Sequence, residues 1–177
     1  HPSIIKLHHP ITKQKMRILT KKTGWVIVTL FAVYGFILRI YSLGQQSIWI
    51  DEAFTINAAE TILKKGVPLL ESGFWYTGGI LNSYITAFSL AALRSAGVEF
   101  AARLPSVIFG VLTIFLVYAF GKKIANKEVG LISAFLVTFS IWEIAWSRQA
   151  RMYQQFQFFY LLSLYFFYKF FFFYPLL

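Results

Sequence analysis

The stretch WVIVTLFAVYGFILRIYSL, residues 25–43, decides how this chain folds. As a helix rising about 1.5 Å per residue it approaches the ~30 Å thickness of a bilayer's hydrocarbon layer. Its one charge, Arg39, lies near the end and needs a partner, for which Glu143 is the first candidate. Ahead of it Lys6, Lys13, Lys15, Arg17, Lys21 and Lys22 are opposed by no acid. A basic cluster beside a span reads as a cytoplasmic anchor to anionic lipid. No fold for reading bases accompanies it, so no nucleic-acid partner is expected.

Composition agrees with a membrane protein. The 177 residues are 58% hydrophobic and 20% aromatic, with a net charge of +10, more apolar than a soluble domain of this size needs to fill a core. There is no cysteine, which removes disulfides and thiolate metal sites. No small-x-small cleavage site follows the first stretch, so it reads as a retained span. Further spans are expected at 104–121, 129–146 and 153–174. Pro105 then falls in a first helical turn, where a missing N–H does no harm.

Gly79 to Leu93 is apolar but short, and it carries Asn82, Ser83, Thr86 and Ser89; it reads as a surface-lying or partly inserted helix. If it does not cross, the basic turn Lys122, Lys123, Lys127 joins the N-terminus in the cytoplasm. The expected organisation is a basic cytoplasmic tail, 1–24, and a membrane core, 25–174, with a long outer loop, 44–103. The fold class is all-α: a polytopic transmembrane helical bundle with amphipathic juxtamembrane helices in its first outer loop. The chain opens on His1 and closes in an apolar run, and is expected to be the N-terminal portion of a longer protein, inactive alone.

In the outer loop, Asp51 to Lys65 predicts one helix. Asp51 at its start and Lys64 and Lys65 at its end match the helix dipole, and Gly66 and Pro68 stop it. Phe54, Ala58, Thr61, Ile62 and Lys65 fall near one face that can lie on a membrane. Trp49, Trp75, Trp142 and Trp146 fall at predicted outer boundaries, where indole rings favour the interface.

The chemistry-bearing residues gather on that outer face. Asp51, kept ionised by the helix N-terminus, suits a general base that deprotonates an acceptor hydroxyl; Glu52, about 100° around the helix, is a supporting acid. A helix cap followed by a solvated acid is the plainer reading of the pair. Arg148 and Arg151, three apart, would share a face of a helical turn and grip a phosphate; interfacial snorkelling and charge balance with Glu143 read equally well. Arg103 presents the same choice. Tyr76, Gly78, Gly79, Asn82 and Tyr84 are fit to line a sugar pocket, although Gly pairs also simply permit a turn. His8 and His9 lack the spacing and acids of a metal site, and no Gly-rich phosphate loop is present.

Four pieces in order, LRIYSL (38–43) leading into WIDEA (49–53), FAARLPS (100–106), YAFGKK (118–123) and WSRQARMY (146–153), resemble the GT-C superfamily of integral membrane glycosyltransferases. The closer likeness is to the branch holding protein O-mannosyltransferases and lipid A aminoarabinose transferases. The resemblance implies a dolichyl- or undecaprenyl-phosphate sugar donor, a catalytic acid in the first outer loop at Asp51 with Glu52 beside it, and inversion at the anomeric carbon. It also implies phosphate contacts near Arg148 and Arg151; Arg103 and Tyr76 are further candidate substrate contacts from the residues themselves. Where relatives often have Pro-Pro-Leu, this chain has Tyr76-Thr77-Gly78-Gly79-Ile80-Leu81; where several branches have an Asp after the second arginine, it has Met152, Tyr153, Gln154 and Gln155. No two-acid metal site is therefore expected, and no cofactor. The acceptor is a protein, lipid or glycan, and the location a prokaryotic plasma membrane. A transporter or flippase, or a non-catalytic membrane scaffold, are the alternative readings.

Overall fold

A computed structural model describes the backbone of residues 10–173 and the side chains of residues 23–172. The basic side chains from Lys6 to Lys22 and the His8–His9 pair lie outside the described residues. Every regular element described is helical, apart from a single antiparallel bridge between Leu69 and Trp75. Helix α1 spans Pro10–Ile40, so the segment from Pro10 onward is continuous with the span rather than a separate tail. The chain leaves α1 through a left-handed Ser42, φ 52°. Helices α2 (Ile50–Lys65) and α3 (Ile80–Leu93) follow; after a 3-10 turn come α4 (Val98–Ile124), α5 (Lys127–Phe139), α6 (Ile141–Ser147) and α7 (Tyr153–Phe173).

By length and composition α1, from Thr23 to Ile40, and α4 can each cross a membrane. The expected span 129–146 is broken: α5 and α6 make a third only as a pair bent by 60°. The break is encoded at Ser140, whose hydroxyl accepts from the Glu143 N–H at 3.4 Å and caps α6, a start signal inside an apolar run. Helix α7 has the 21 residues of a span, but Gln154, Gln155, Gln157 and its tyrosines keep its hydropathy below that of α1 and α4.

Helix α4 also differs from expectation, because it starts at Val98 and so carries Pro105 in its interior. A proline there denies a hydrogen bond to the carbonyl four residues back, which is Ala101. Ser89 on α3 supplies it, its hydroxyl donating to the Ala101 carbonyl at 2.6 Å. Further along, α4 and α5 meet backbone to backbone: a Cβ added at Gly121 would lie 3.0 Å from the Gly130 Cα. Close approach of small residues is what packs helices where lipid supplies no hydrophobic drive.

Helix α2 begins at Ile50, one residue ahead of the expected Asp51, and ends at Lys65 as its sequence predicts, with Gly66 at φ 78° closing it. Its buried face is different. Glu52, Thr55, Ile56, Ala58 and Ala59 turn inward, while Phe54 is exposed. Ile56 and Ala59 join Ala87 and Leu90 of α3, Ala101 and Ala102 of α4 and Ala150 in one apolar cluster. The face with the most apolar surface is thus spent partly on protein, because α3 is there to cover it. Helix α3 is built inside out: Asn82, Ser83, Thr86 and Ser89 are buried, whereas Phe88 is 76% exposed and Leu81 54%. At 14 residues, about 21 Å, it is too short to cross.

The helix ends sort to two sides of the bundle. Lys122 lies over the rings of Trp25 and Tyr118 at one end. At the other, the turn after α1, the start of α2, the start of α4 and the turn between α6 and α7 converge. Trp49, Trp75, Trp142 and Trp146 are all exposed, as interfacial indoles are.

Candidate functional site

The convergence is held by a buried ion pair. Arg103 Nε donates to Glu52 Oε1 at 2.8 Å and its Nη2 to Oε2 at 2.7 Å, a bidentate fork. Glu52 is 1% exposed and Arg103 2%. The rest of the guanidinium donates to the carbonyls of Leu43, Gln46 and Ser47 at 2.9, 2.9 and 3.0 Å, which uses its full set of N–H donors. Glu52 also accepts from the backbone N–H of Ala150 at 2.7 Å and of Trp49 at 3.1 Å. Burial alone would push the Glu52 carboxyl up. The Arg103 hydrogen bonds, the two backbone donors and the Arg103 charge outweigh it, so its pKa lies below the ordinary value. In place of the substrate contact expected of Arg103 and the free supporting acid expected at Glu52, the two spend their capacity on each other and on the backbone.

Asp51, one residue earlier, faces the other way. Its side chain is 60% exposed, and its carboxylate lies 3.8 Å from Arg151 Nη2. Arg151 is fixed from several sides. Its Nη1 donates to the Asp51 carbonyl at 3.0 Å and to the Tyr76 hydroxyl at 3.2 Å, and its Nη2 to the Tyr153 hydroxyl at 3.4 Å. Burial by itself lowers the Arg151 pKa, but the Tyr153 hydrogen bond and the nearby Tyr76, Tyr153 and Asp51 reverse the shift and raise it. Tyr76 is in turn seated by Thr55, hydroxyl to hydroxyl at 3.3 Å. Asp51, Arg151 and Tyr76 therefore come together, with Thr55 and Tyr153 as members that sequence reasoning missed. Thr55 sits four residues after Asp51 on α2, a spacing that puts both on one side of a helix.

Arg148 does not pair with Arg151. The shared face required a helical turn, but α6 ends at Ser147 and α7 starts at Tyr153, so residues 148–152 are a turn and the side chains diverge. Arg148 reaches back to the end of α1, donating to the carbonyls of Arg39 and Tyr41 at 3.1 and 2.5 Å, and at 3.4 Å to those of Leu38 and Ser42. These are carbonyls that a helix end leaves without partners. Burial first, then the Arg103 charge, lowers its pKa. Arg39 makes no direct ion pair with Glu143, although the Glu143 charge is near enough to act on it. It donates to the carbonyls of Gly35, Val137 and Thr138 at 3.1, 3.0 and 3.3 Å and to the Ser147 hydroxyl at 3.1 Å. The last two carbonyls belong to α5 where the break at Ser140 frees them. Glu143 instead accepts from Gln154 and Gln157 at 3.3 and 2.8 Å.

A cavity of about 770 Å³ opens between the turn after α1 and α6, with Gln46, Trp49, Ile144, Arg148 and Gln149 in its wall. Glu52 and Arg103 also line it; Asp51 does not. Among the described residues no group of three or more histidines and acids is placed to hold a metal.

No curated protein and no solved structure matches the chain. A family profile described as dolichyl-phosphate-mannose-protein mannosyltransferase matches residues 77–172, a segment that runs from the turn before α3 through nearly all of α7 and covers more than half of the chain. With its apolar helices, the protein is an integral membrane protein of the glycosyltransferase class that uses polyprenyl-phosphate sugars, and it belongs to the dolichyl-phosphate-mannose-protein mannosyltransferase family.

Proposed function

We propose that the protein moves a sugar from a polyprenyl-phosphate donor to a hydroxyl of a protein, lipid or glycan, with Asp51 as the general base. The observation that carries this reading is the contrast within one dipeptide: Glu52 is fully bonded, while Asp51 is exposed and tethered beside a fixed guanidinium. A base must reach its proton. The Asp51 carboxylate takes the acceptor's proton as the acceptor oxygen attacks the anomeric carbon; the bond from that carbon to the phosphate oxygen breaks, and the lipid phosphate leaves. Arg151, oriented by Tyr76 and Tyr153, faces the negative charge that gathers on the leaving group. Arg148 borders the adjoining cavity, and Arg103 with Glu52 positions the dipeptide.

Because Glu52 is committed to Arg103, the two acids do not act as a chelating pair, and the reaction we propose needs no metal cofactor. The basic segment before the first span supports a cytoplasmic N-terminus and an outward-facing site; the membrane we propose is a prokaryotic plasma membrane. A transport path calls for charges at mid-depth, whereas Arg39, Arg103 and Arg148 are all occupied with carbonyls at or near helix ends.

The test is transfer from labelled polyprenyl-phosphate sugars in membranes carrying the protein. Asp51→Asn is expected to lower transfer by about 10²–10⁴-fold, the usual contribution of a general base, with insertion unchanged. Transfer at the wild-type rate would remove Asp51 from the mechanism.

A further inference from the structure

At the end of the bundle remote from Asp51, three helices supply one corner. The close contact of Gly121 with Gly130 folds α5 tightly back on α4, and Lys122 in the last turn of α4 and Lys127 at the start of α5 both reach α1. Lys122 Nζ stands 5.4 Å from the centre of the Tyr118 ring and 5.9 Å from that of Trp25, and the two rings meet edge to face at 4.8 Å. Lys127 lies against α1 at Gly24, where an added Cβ would collide with the Tyr118 hydroxyl and come within 3.0 Å of Lys127 Cε. Tyr118 therefore has one lysine over its ring and another beside its hydroxyl.

Neither cation is held by a carboxylate. None of the three ion pairs among the described residues includes Lys122 or Lys127, and the one acid of the hairpin, Glu128, is exposed. Residues 1–22 contain lysines and an arginine but no acid, so they offer no counter-charge. Ring faces hold an ammonium in place without cancelling its charge. The Tyr118 hydroxyl is buried with no hydrogen-bond partner, an O–H in want of an acceptor. Around the lysines Trp25, Ile124 and Val129 expose apolar surface. Because Trp25 and Lys122 stand near the ends of two helices able to cross a membrane, this mixed surface lies at headgroup depth.

We infer that the corner formed by Trp25, Tyr118, Lys122 and Lys127 binds the phosphate of an anionic phospholipid of the cytoplasmic leaflet. The lysines face the phosphate, and the apolar rim faces the glycerol and the first carbons of the acyl chains. A phosphate carried on a lipid meets both kinds of surface, whereas free phosphate meets only the lysines. The leaflet follows from the cytoplasmic N-terminus proposed above; the preference for an anionic lipid does not depend on it. This site stands apart from sugar transfer, and it joins α1, α4 and α5 at the end of the bundle that the Glu52–Arg103 pair does not reach.

The experiment uses the protein in phosphatidylcholine nanodiscs containing a little phosphatidylglycerol with a diazirine in its headgroup. Saturable labelling is expected on peptides holding Trp25 or residues 118–129, competed by unlabelled phosphatidylglycerol and by neither phosphatidylcholine nor glycerol phosphate. Lys122→Gln with Lys127→Gln is expected to weaken binding by about 30-fold, the equivalent of ~2 kcal/mol, from two cations beside an anionic headgroup. Lys64→Gln with Lys65→Gln, on α2, is expected to leave it unchanged. Lys122→Arg with Lys127→Arg keeps the charge and is expected to keep the labelling, which separates loss of charge from loss of fold. Labelling that the glutamine pair leaves unchanged, that the glutamine and arginine pairs weaken alike, or that maps only to residues 1–22 overturns the site. Equal competition by phosphatidylcholine makes the occupant bulk lipid, and competition by glycerol phosphate makes it a free phosphate; either result overturns the proposal, as does the absence of saturable labelling. None of these outcomes bears on Asp51.

Discussion

Ser89 donates its hydroxyl to the Ala101 carbonyl at 2.6 Å, the acceptor that Pro105 deprives of its helical N–H. Helix α3 thereby completes the backbone of α4. Ser89→Ala is expected to leave a buried carbonyl unpaired and to cost about 1–3 kcal/mol. Adding Pro105→Ala should return most of that loss, since an alanine restores the N–H that the helix lacks. Unfolding of the single and double variants in detergent measures the coupling; strictly additive losses would dissociate Ser89 from the proline.

The Glu52–Arg103 pair makes a different prediction, because both members are charged and both are buried. Removing one charge with Arg103→Met strands the other and is expected to cost about 3–5 kcal/mol. The double change Glu52→Gln with Arg103→Met should cost less than the sum of the single changes. A double-mutant cycle on thermal unfolding gives the answer.

The same carboxylate sets an acid limit. Its folded pKa is lowered, so its contribution is fully present above the unfolded value near 4.5 and is lost as pH falls through the folded value, below 4.5. Stability from this pair should therefore be level between neutrality and pH 5 and decline only in stronger acid. Glu52→Gln should flatten that acid decline, which unfolding curves collected at several pH values will show.

Arg148 and Arg151 are expected to separate by readout. Arg148→Met exposes the end of α1 and should lower unfolding stability by about 1–3 kcal/mol. Arg151→Met should leave stability closer to wild type and reduce donor turnover, with the larger change in kcat/KM. Matched Tm and kinetic measurements on both variants test the division. A pair that fails in parallel would restore a shared phosphate grip.

Much of this was legible in the chain itself. Gly66, Pro68 and the charges of Asp51, Lys64 and Lys65 delimit α2, and the length and polarity of 79–93 mark α3 as too short to cross. Those signals are local. What escaped sequence reading depends on geometry between segments. The Arg148–Arg151 pairing assumed one helical phase across a turn. The match of Arg39 to Glu143 looked for an opposite charge, when the stronger need was that of the Val137 and Thr138 carbonyls freed by the break. The break itself carried a signature, Ser140 three residues ahead of Glu143, hidden in an apolar run that reads as one span. At Glu52 and Asp51 nothing in the dipeptide says which acid is buried; the answer lies at Arg103 and Ala150, about 50 and 100 positions later.

That separation has a consequence for biosynthesis. The carbonyls at the end of the first span are met by Arg148, and Glu52 accepts from the Ala150 N–H, roughly a hundred residues downstream of the groups they serve. At about 5–20 residues per second, the ribosome delivers those partners some 5–20 seconds after the segment that awaits them. The Asp51 loop therefore has to wait, incompletely folded, until the turn at 148–152 arrives, and a chain halted before that turn would hold the first span without the clasp that closes its end.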